Sequence, residues 1–254
     1  MKKITALIMS LLMITSLAAC GSNETDNSAS SDPESAETES VQTSEPESTP
    51  SSEPENETAG ASGRNTLVVY FSMPETTNPD ESSMTEEERN STVIIDGEAL
   101  GNTQYVAYVI QENTGADLFR IEPEIPYPTD HDTLVDQAAE EQDNGARPAI
   151  KDKIENFDQY DTVFVGYPNW WGDMPMILYT FFDTYDFSGK TIIPFNTHGG
   201  SGFSNTIDTI AELEPDATIY EDGFTVSRNN VQEAEPDIVD WLNDAGYAKS
   251  NTPQ

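Results

Sequence analysis

The chain is poor in cysteine, in histidine and in basic residues. Its 254 residues include one Cys, two His and 11 Lys or Arg, against 47 Asp or Glu. A single Cys excludes a disulfide within the chain, and neither the His nor the carboxylates recur at the spacing of metal ligands. The formal net charge of −36 opposes binding to nucleic acid or to anionic lipid head groups. Three classes of protein are therefore disfavoured: disulfide scaffolds, metalloenzymes and nucleic-acid binders.

The N-terminal apolar run is too short to cross a membrane. Residues 4–17 follow the basic pair Lys2-Lys3 and end in Leu17-Ala18-Ala19-Cys20-Gly21. This pattern resembles a bacterial lipoprotein signal. The resemblance implies that residues 1–19 are removed, that Cys20 is lipidated, and that the chain is anchored on the extracytoplasmic side of the cell membrane. The alternative is an ordinary secretory signal with an incidental cysteine.

A second segment, residues 20–63, is dominated by Ser, Glu, Thr and Pro. It carries 11 acidic residues and no basic one, and almost nothing in it is apolar. Such a composition cannot bury enough surface to offset ordering entropy, so we predict a disordered acidic tether. The predicted domain, residues 64–249, still holds 36 acidic and 9 basic residues. This balance suits a redox partner with a basic face, or it simply keeps the domain soluble.

Short apolar runs that alternate with helical spacing predict the fold class. The predicted strands share large or β-branched side chains between turn residues, and they cover 67–71, 118–121, 162–165, 191–195 and a fifth in two pieces, 217–220 and 224–226. The predicted helices cover 102–113, 132–142, 175–183, 205–213 and a last one that starts at 231 or 236 and ends at 243. This alternation predicts an α/β fold, a doubly wound five-stranded parallel sheet with helices on both faces.

One segment, residues 73–100, does not fit the alternation. It is polar and acidic at first and ends in two apolar runs around Asp96-Gly97, which predicts a hairpin turn. We treat it as an insertion after the first strand, where a long loop is more often functional than idle.

The run from Val163 to Gly172 places two adjacent tryptophans after a buried strand. Asp173-Met-Pro175 then predicts a helix start, with Asp173 as its N-cap. Ligands of open α/β sheets bind at this edge, and paired Trp side chains need a core or a flat ligand to pack against.

Several segments, taken in order, resemble the flavodoxin-like fold of bacterial flavodoxin-family lipoproteins. They are residues 67–72, Gly101-Asn-Thr103, 121–123, Tyr127-Pro128, Arg147-Pro148, Gly166-Tyr-Pro-Asn-Trp-Trp-Gly172, Gly189-Lys190, Phe195-Asn-Thr-His-Gly-Gly-Ser-Gly202 and Trp241-Leu242. The resemblance covers about residues 67–247. It implies an FMN site at the carboxyl edge of the sheet.

The implied FMN site has a phosphate part and a ring part. Hydroxyls and backbone N–H groups at a helix start suit the phosphate, and these belong to Ser72, Gly101, Asn102 and Thr103. Two later loops suit the ring, and their residues are Pro168, Asn169, Trp170, Trp171, Gly172, His198, Gly199, Gly200, Ser201 and Gly202. If the insertion folded over this pocket, carboxylates such as those of Glu86, Glu87 and Glu88 would oppose the phosphate; if it lay outward, the site would be intact.

Other interpretations of these residues stay open. Trp170 and Trp171 could belong to the core, Ser72 and Thr103 could be ordinary helix caps, and His198 could be a turn residue. His131, which precedes a helix, is expected to face solvent. A serine hydrolase is disfavoured, because the segment 199–203 lacks the final Gly of a nucleophile elbow.

The sequence therefore predicts a lipid-anchored, FMN-binding electron carrier with no catalytic side chain assigned. The acidic surroundings are expected to disfavour the negatively charged reduced flavin. One alternative is an FMN-dependent reductase of quinones or other small molecules. The other is a flavin-free binding module on the same fold.

Overall fold

The computed structural model describes residues 65–249, so the predicted signal (1–19), Cys20 and the predicted tether (20–63) lie outside the described residues and stay predictions. The strands are β1 (Thr66–Tyr70), β2 (Thr92–Ile95), β3 (Glu98–Gly101), β4 (Asp117–Arg120), β5 (Thr162–Pro168), β6 (Thr191–His198), β7 (Thr218–Ile219) and β8 (Phe224–Ser227). The α-helices are α1 (Glu86–Ser91), α2 (Asn102–Thr114), α3 (His131–Asp143), α4 (Met176–Thr184), α5 (Thr206–Leu213) and α6 (Glu235–Asp244). Within residues 65–249, no helix has the length and apolarity that a membrane crossing requires.

The main sheet is parallel throughout. Its strands lie in the order β4-β1-β5-β6, and the far side of β6 pairs first with β7 and then with β8. The chain thus winds outward from β1 in both directions, because β4 adds on one side and β5 to β8 add on the other. The predicted doubly wound parallel sheet is confirmed.

Two apolar cores, one on each face of the sheet, hold the helices. Alternate residues of β1 point to opposite faces: Leu67 and Val69 lie in one core, and Val68 and Tyr70 lie in the other. The first core includes side chains of α3, α4 and α5, and the second includes side chains of α2 and α6. A strand buried on both faces has no polar alternation, which is why these strands are continuous apolar runs.

The fifth strand position is broken, as predicted, and Pro194 of β6 explains where. The N–H groups of Thr218 and Tyr220 donate to the carbonyls of Lys190 and Ile192, so even-numbered residues of β6 face this strand. Pro194 is the next even residue and has no N–H to donate. The edge strand is therefore interrupted opposite Pro194, between β7 and β8.

Two predicted strand ends are wrong by three residues. The predicted ends are residues 165 and 195, whereas β5 continues to Pro168 and β6 to His198. Pro194 suggested a strand end, but its missing N–H faces the gap in the neighbouring strand, so β6 continues past it.

The insertion forms a small unit of its own beside α2. Strands β2 and β3 pair as an antiparallel hairpin, and Asp96 and Gly97 at its turn have φ of 51° and 83°, as a two-residue turn requires. A capping box of Thr85 and Glu88 starts α1. Val93 of the hairpin is buried in the core that α2 and α6 share, so the second half of the insertion packs against the domain.

Candidate functional site

The carboxyl ends of four strands of the sheet open into one cavity. Its volume is about 290 Å³, near the lower end of the range for small-molecule sites. The sheet contributes the residues that follow or end these strands: Ser72, Pro168, Asn169, Trp170, Trp171, Thr197, His198, Gly199 and Arg228. The start of α2, the helix α3 and the insertion contribute the rest: Asn102, Thr103, His131, Leu134, Val135, Ala138, Met73, Glu75, Glu87, Asn90 and Ser91.

The end of β1 and the start of α2 meet directly, although the insertion separates them in sequence. A Cβ atom at Gly101 would lie 2.2 Å from the Ser72 Oγ, so glycine is required for this approach. Gly101 is also the N-cap of α2 and has no side chain to accept from the helix; the Gln104 Oε1 accepts from the Gly101 N–H at 3.2 Å but not from the N–H groups of α2 itself. The first N–H groups of α2 therefore have no capping acceptor, and they start beside the Ser72 hydroxyl.

Asn102, the first residue of α2, carries an unsatisfied polar atom. Its Nδ2 donates to the carbonyl of Asn90 at 2.8 Å, which fixes the orientation of the amide. Its Oδ1 is buried and has no hydrogen-bond partner among residues 65–249. A buried acceptor without a donor is costly, so this atom is suited to a ligand hydroxyl.

Thr103 is fixed by a side chain from β6. Its hydroxyl lies 2.8 Å from the hydroxyl of Thr197, and both residues are buried. This contact ties the start of α2 to the end of β6, so the two predicted parts of the site share one wall.

The tryptophan loop is a tight turn with strained backbone. Trp171 and Gly172 have positive φ, 54° and 80°, while Trp170 and Asp173 exchange backbone hydrogen bonds of 2.8 and 3.0 Å. A positive φ is rare for a bulky residue and persists where the surroundings enforce it. The predicted N-cap role of Asp173 is wrong: its carboxylate accepts from the Met174 N–H and the Tyr179 hydroxyl, and α4 begins at Met176.

The two tryptophans have different environments. Trp170 packs edge-to-face on Phe71 and Tyr127, with ring centroids 5.5 and 5.6 Å apart, so it joins the core as well as lining the cavity. Trp171 is 60% exposed, and its Nε1 donates to the carbonyl of Val135 in α3 at 3.2 Å. Trp171 thus crosses the rim of the cavity and offers a flat apolar face there.

Two asparagines hold the loop after β6 against the tryptophan loop. The Nδ2 atoms of Asn169 and Asn196 both donate to the Gly202 carbonyl, at 3.0 and 2.8 Å. His198 Nδ1 accepts from the Gly200 N–H at 2.8 Å, and burial lowers the pKa of His198. His198 is therefore both a turn residue and a residue of the cavity, and it is neutral near pH 7.

Nine of the fourteen residues predicted for the site line the cavity, and five do not. Gly101, Gly172, Gly200, Ser201 and Gly202 are absent from the lining. Their observed contacts position the loops: the Gly172 N–H donates to Asn169, and the Ser201 carbonyl accepts from the Ser204 N–H. Contact of any of the fourteen with FMN stays a prediction.

The insertion lies at the cavity rim and joins α3 through an ion pair. Glu75 Oε1 lies 3.0 Å from His131 Nδ1, with side chains 8% and 44% exposed. His131 was expected only to face solvent, and the sequence carries no signal for this partner. Of the acidic triplet in α1, Glu87 lines the cavity, whereas Glu88 accepts from the Thr85 N–H.

The ion pair predicts a small pH dependence of stability. The hydrogen bond with Glu75 and the charge of that carboxylate raise the pKa of His131 above its usual value. Because the folded pKa is the higher one, the stabilisation is complete below the unfolded pKa of about 6.5 and is lost as the pH rises through the folded pKa. His131 is nearly half exposed, so we expect less than about 1 kcal/mol.

The measurement is urea unfolding of the wild type and H131Q at about pH 5.5 and about pH 8.5. The wild type should be the more stable at the acidic pH, and the two proteins should converge at the basic pH. E75Q removes the other partner of the ion pair and is the matched control. It should lose the same extra stability at the acidic pH as H131Q does. An equal gap between wild type and H131Q at both pH values would contradict the assignment.

Comparison with known proteins identifies similar sequences and folds. A sequence family described as flavodoxin matches residues 93–245. The chain is 31% identical to a candidate flavoprotein from Bacteroides eggerthii, over 72% of this chain and 98% of that one, with a TM-score of 0.54. A second, from Bacteroides uniformis, is 25% identical over 71% and 99%, with a TM-score of 0.55.

A more distant similarity involves a protein solved with a ligand. That flavoprotein, from Lactobacillus acidophilus, was crystallised in complex with FMN; it is 19% identical over 67% of this chain and 98% of that one, with a TM-score of 0.46. This distance is too large to assign a ligand here. No curated protein sequence matches the chain significantly.

Proposed function

The chain belongs to the flavodoxin family, and from that premise we propose that it binds FMN non-covalently and transfers electrons. We further propose that a lipid on Cys20 holds it at the outer face of the cell membrane. The observation that carries the FMN proposal is the uncapped start of α2, which lies at the cavity beside the Ser72 hydroxyl.

The start of α2 suits a phosphate group. The first N–H groups of a helix are donors without intrahelical partners, and the helix dipole favours an anion there. Thr103 and Asn102 are the first residues of this helix, and Ser72 adds a hydroxyl. The free Oδ1 of Asn102 could accept from a hydroxyl of the ribityl chain, which a phosphate alone does not supply.

The rest of the cavity suits a flat aromatic ring. Trp170 and Trp171 offer aromatic surface, and Leu134, Val135 and Ala138 of α3 add an apolar wall. The backbone at His198 and Gly199, where β6 ends, would meet the polar edge of the ring.

The carboxylates of the insertion do not exclude a phosphate. Glu75 lies 3.0 Å from His131, which is positively charged when protonated, and Arg228 adds a positive charge elsewhere in the lining. The lining is thus much less acidic than the domain as a whole. The insertion contributes to the rim while the start of α2 stays open to the cavity.

When bound, FMN supplies reversible electron transfer, and the protein supplies position and electrostatics. The residues of this chain would hold the phosphate, exclude water from the ring and set the local charge. We favour an electron carrier, because that role needs only a bound flavin and no second pocket for a substrate beside the ring. The alternative is a reductase of quinones or other small molecules, which turnover of NAD(P)H by the purified protein would reveal.

The direct test is retention of flavin. We expect the purified full chain, mixed with FMN and desalted, to keep about one flavin per chain and to quench flavin fluorescence, because tryptophan rings contact the isoalloxazine ring. Riboflavin is the matched control, since it lacks only the phosphate, and it should bind more weakly. If the protein neither retains flavin absorbance nor quenches flavin fluorescence on titration, the flavin-free binding module becomes the better interpretation.

A further inference from the structure

Arg228 is an arginine without a partner in an acidic domain. From residue 64 on, acidic residues outnumber basic ones by 36 to 9. Three other cations have partners: Arg147 pairs with Asp183, Lys151 pairs with Glu122, and Lys190 donates to three carbonyls. The Arg228 guanidinium makes no hydrogen bond or ion pair with any residue between 65 and 249. Arg228 is exposed at the edge of the cavity, so its charge is solvated and open to a ligand rather than engaged by a carboxylate.

The backbone places Arg228 against the loop after β6. It directly follows β8, and its N–H donates to the His198 carbonyl at 2.8 Å. Its guanidinium carbon and Nη1 lie 3.5 and 3.6 Å from the point where a Cβ at Gly199 would be. Because Gly199 has no side chain, the guanidinium packs directly on this loop, at the edge of the cavity.

Arg228 is also the one permanent positive charge among the described lining residues. Among the other titratable groups, Glu75 lies 3.0 Å from His131, which pairs with it when protonated, and His198 is neutral. Glu87, on α1, is partly buried and forms no ion pair with Arg228. An arginine keeps its charge at any working pH, so this charge is available to a ligand.

We propose that Arg228 stabilises the negative charge that the isoalloxazine ring acquires on reduction, and thereby raises the reduction potential of the site. The inference rests on the FMN binding proposed above. Uptake of two electrons and one proton by the neutral oxidised ring leaves one negative charge on the reduced ring. A cation beside the ring then favours the reduced form over the oxidised form, and a difference in affinity between two states is what shifts their equilibrium.

This role corrects the expectation from net charge alone. The acidic domain disfavours an anionic ring, but charge interactions fall off with distance and are screened by salt beyond about 10 Å. A single guanidinium at the cavity edge acts at close range, where that screening is weakest. The local cation therefore opposes the distant field.

The test compares R228Q, R228K and K153Q in the full chain. Lys153 is the matched control, because it is an exposed lysine outside the cavity lining and its removal changes the net charge equally. Oxidised FMN affinity is measured by fluorescence quenching, and the two-electron potential by reduction against a reference dye. In R228Q, we expect the affinity for reduced FMN, divided by the affinity for oxidised FMN, to fall about tenfold. This corresponds to a two-electron potential about 30 mV lower. R228K should retain most of the wild-type potential, and K153Q should match the wild type.

Two results would overturn the proposal while leaving FMN binding in place. One is an unchanged potential in R228Q with FMN still bound. The other is weaker binding of oxidised FMN but not of riboflavin, which would place the guanidinium at the phosphate. Absence of FMN binding by the wild type would instead refute the proposed function itself, so the two failures are distinguishable.

Discussion

Replacing Asn102 with aspartate is expected to weaken FMN binding about a hundredfold, with a much smaller effect on riboflavin. Asn102 is the first residue of α2, is 7% exposed and lines the cavity. Aspartate has nearly the same size but brings a negative charge to the proposed phosphate position. At about 5 Å and an effective dielectric of about 20, one repulsive charge pair costs about 3 kcal/mol, which is about a hundredfold in affinity.

The matched control is N102A, which separates charge from lost contacts. Both variants lose the hydrogen bond to the Asn90 carbonyl, worth about 1 kcal/mol, but only the aspartate adds charge. An acidic residue at a helix start is favourable in itself, so N102D should stay folded, and circular dichroism checks this. Fluorescence titration gives the affinities. Equal weakening by N102A and N102D, or equal weakening of FMN and riboflavin binding, would argue against a phosphate at this helix.

The second large effect is expected in the core, at Gly166. A Cβ there would lie 2.1, 2.2 and 2.7 Å from three carbons of the Phe195 ring, which is fully buried. Gly166 and Phe195 are paired residues of β5 and β6, so the ring lies across the glycine. G166A should lower the free energy of unfolding by about 2–3 kcal/mol, because a packed ring cannot move aside without strain elsewhere. Urea unfolding measures the change.

A second substitution tests the cause of this loss. Phe195→Leu removes the part of the ring that the new methyl group would meet, although alone it costs stability by leaving a cavity. In the double variant, the two losses of stability should not add. The smaller leucine leaves room for the alanine methyl group, and the methyl group fills part of the cavity that the leucine leaves. Additive losses would mean that the overlap with Phe195 is not what makes G166A unstable.

Much of the fold could be predicted because its strands are buried on both faces. Runs such as residues 162–165 are short, apolar and bounded by turn residues, so local pattern and tertiary position agree. The strand ends were harder to predict. Whether Pro194 ends a strand depends on which neighbour its missing N–H would face, and only the pairing of β6 decides that.

The site was predictable in the part that follows the carboxyl ends of the sheet strands. Ser72, Trp170 and His198 were found because each ends or follows a predicted strand. The same rule, applied to the last strand, would have identified Arg228. His131 and Glu75 had no such signal, because their contact depends on how the insertion packs against α3.

The contact between Ser72 and Gly101 has a consequence for how this fold can diversify. The two ends of the insertion are van der Waals neighbours, so the entropy of closing that segment depends only weakly on its length. A longer or shorter segment could be exchanged there without moving β1 or α2, provided that it keeps two contacts with the rest of the domain. One is a carbonyl where Asn90 accepts from Asn102, and the other is an apolar side chain where Val93 is buried. The more exposed first half of the insertion is therefore the part of the cavity rim that can vary most freely.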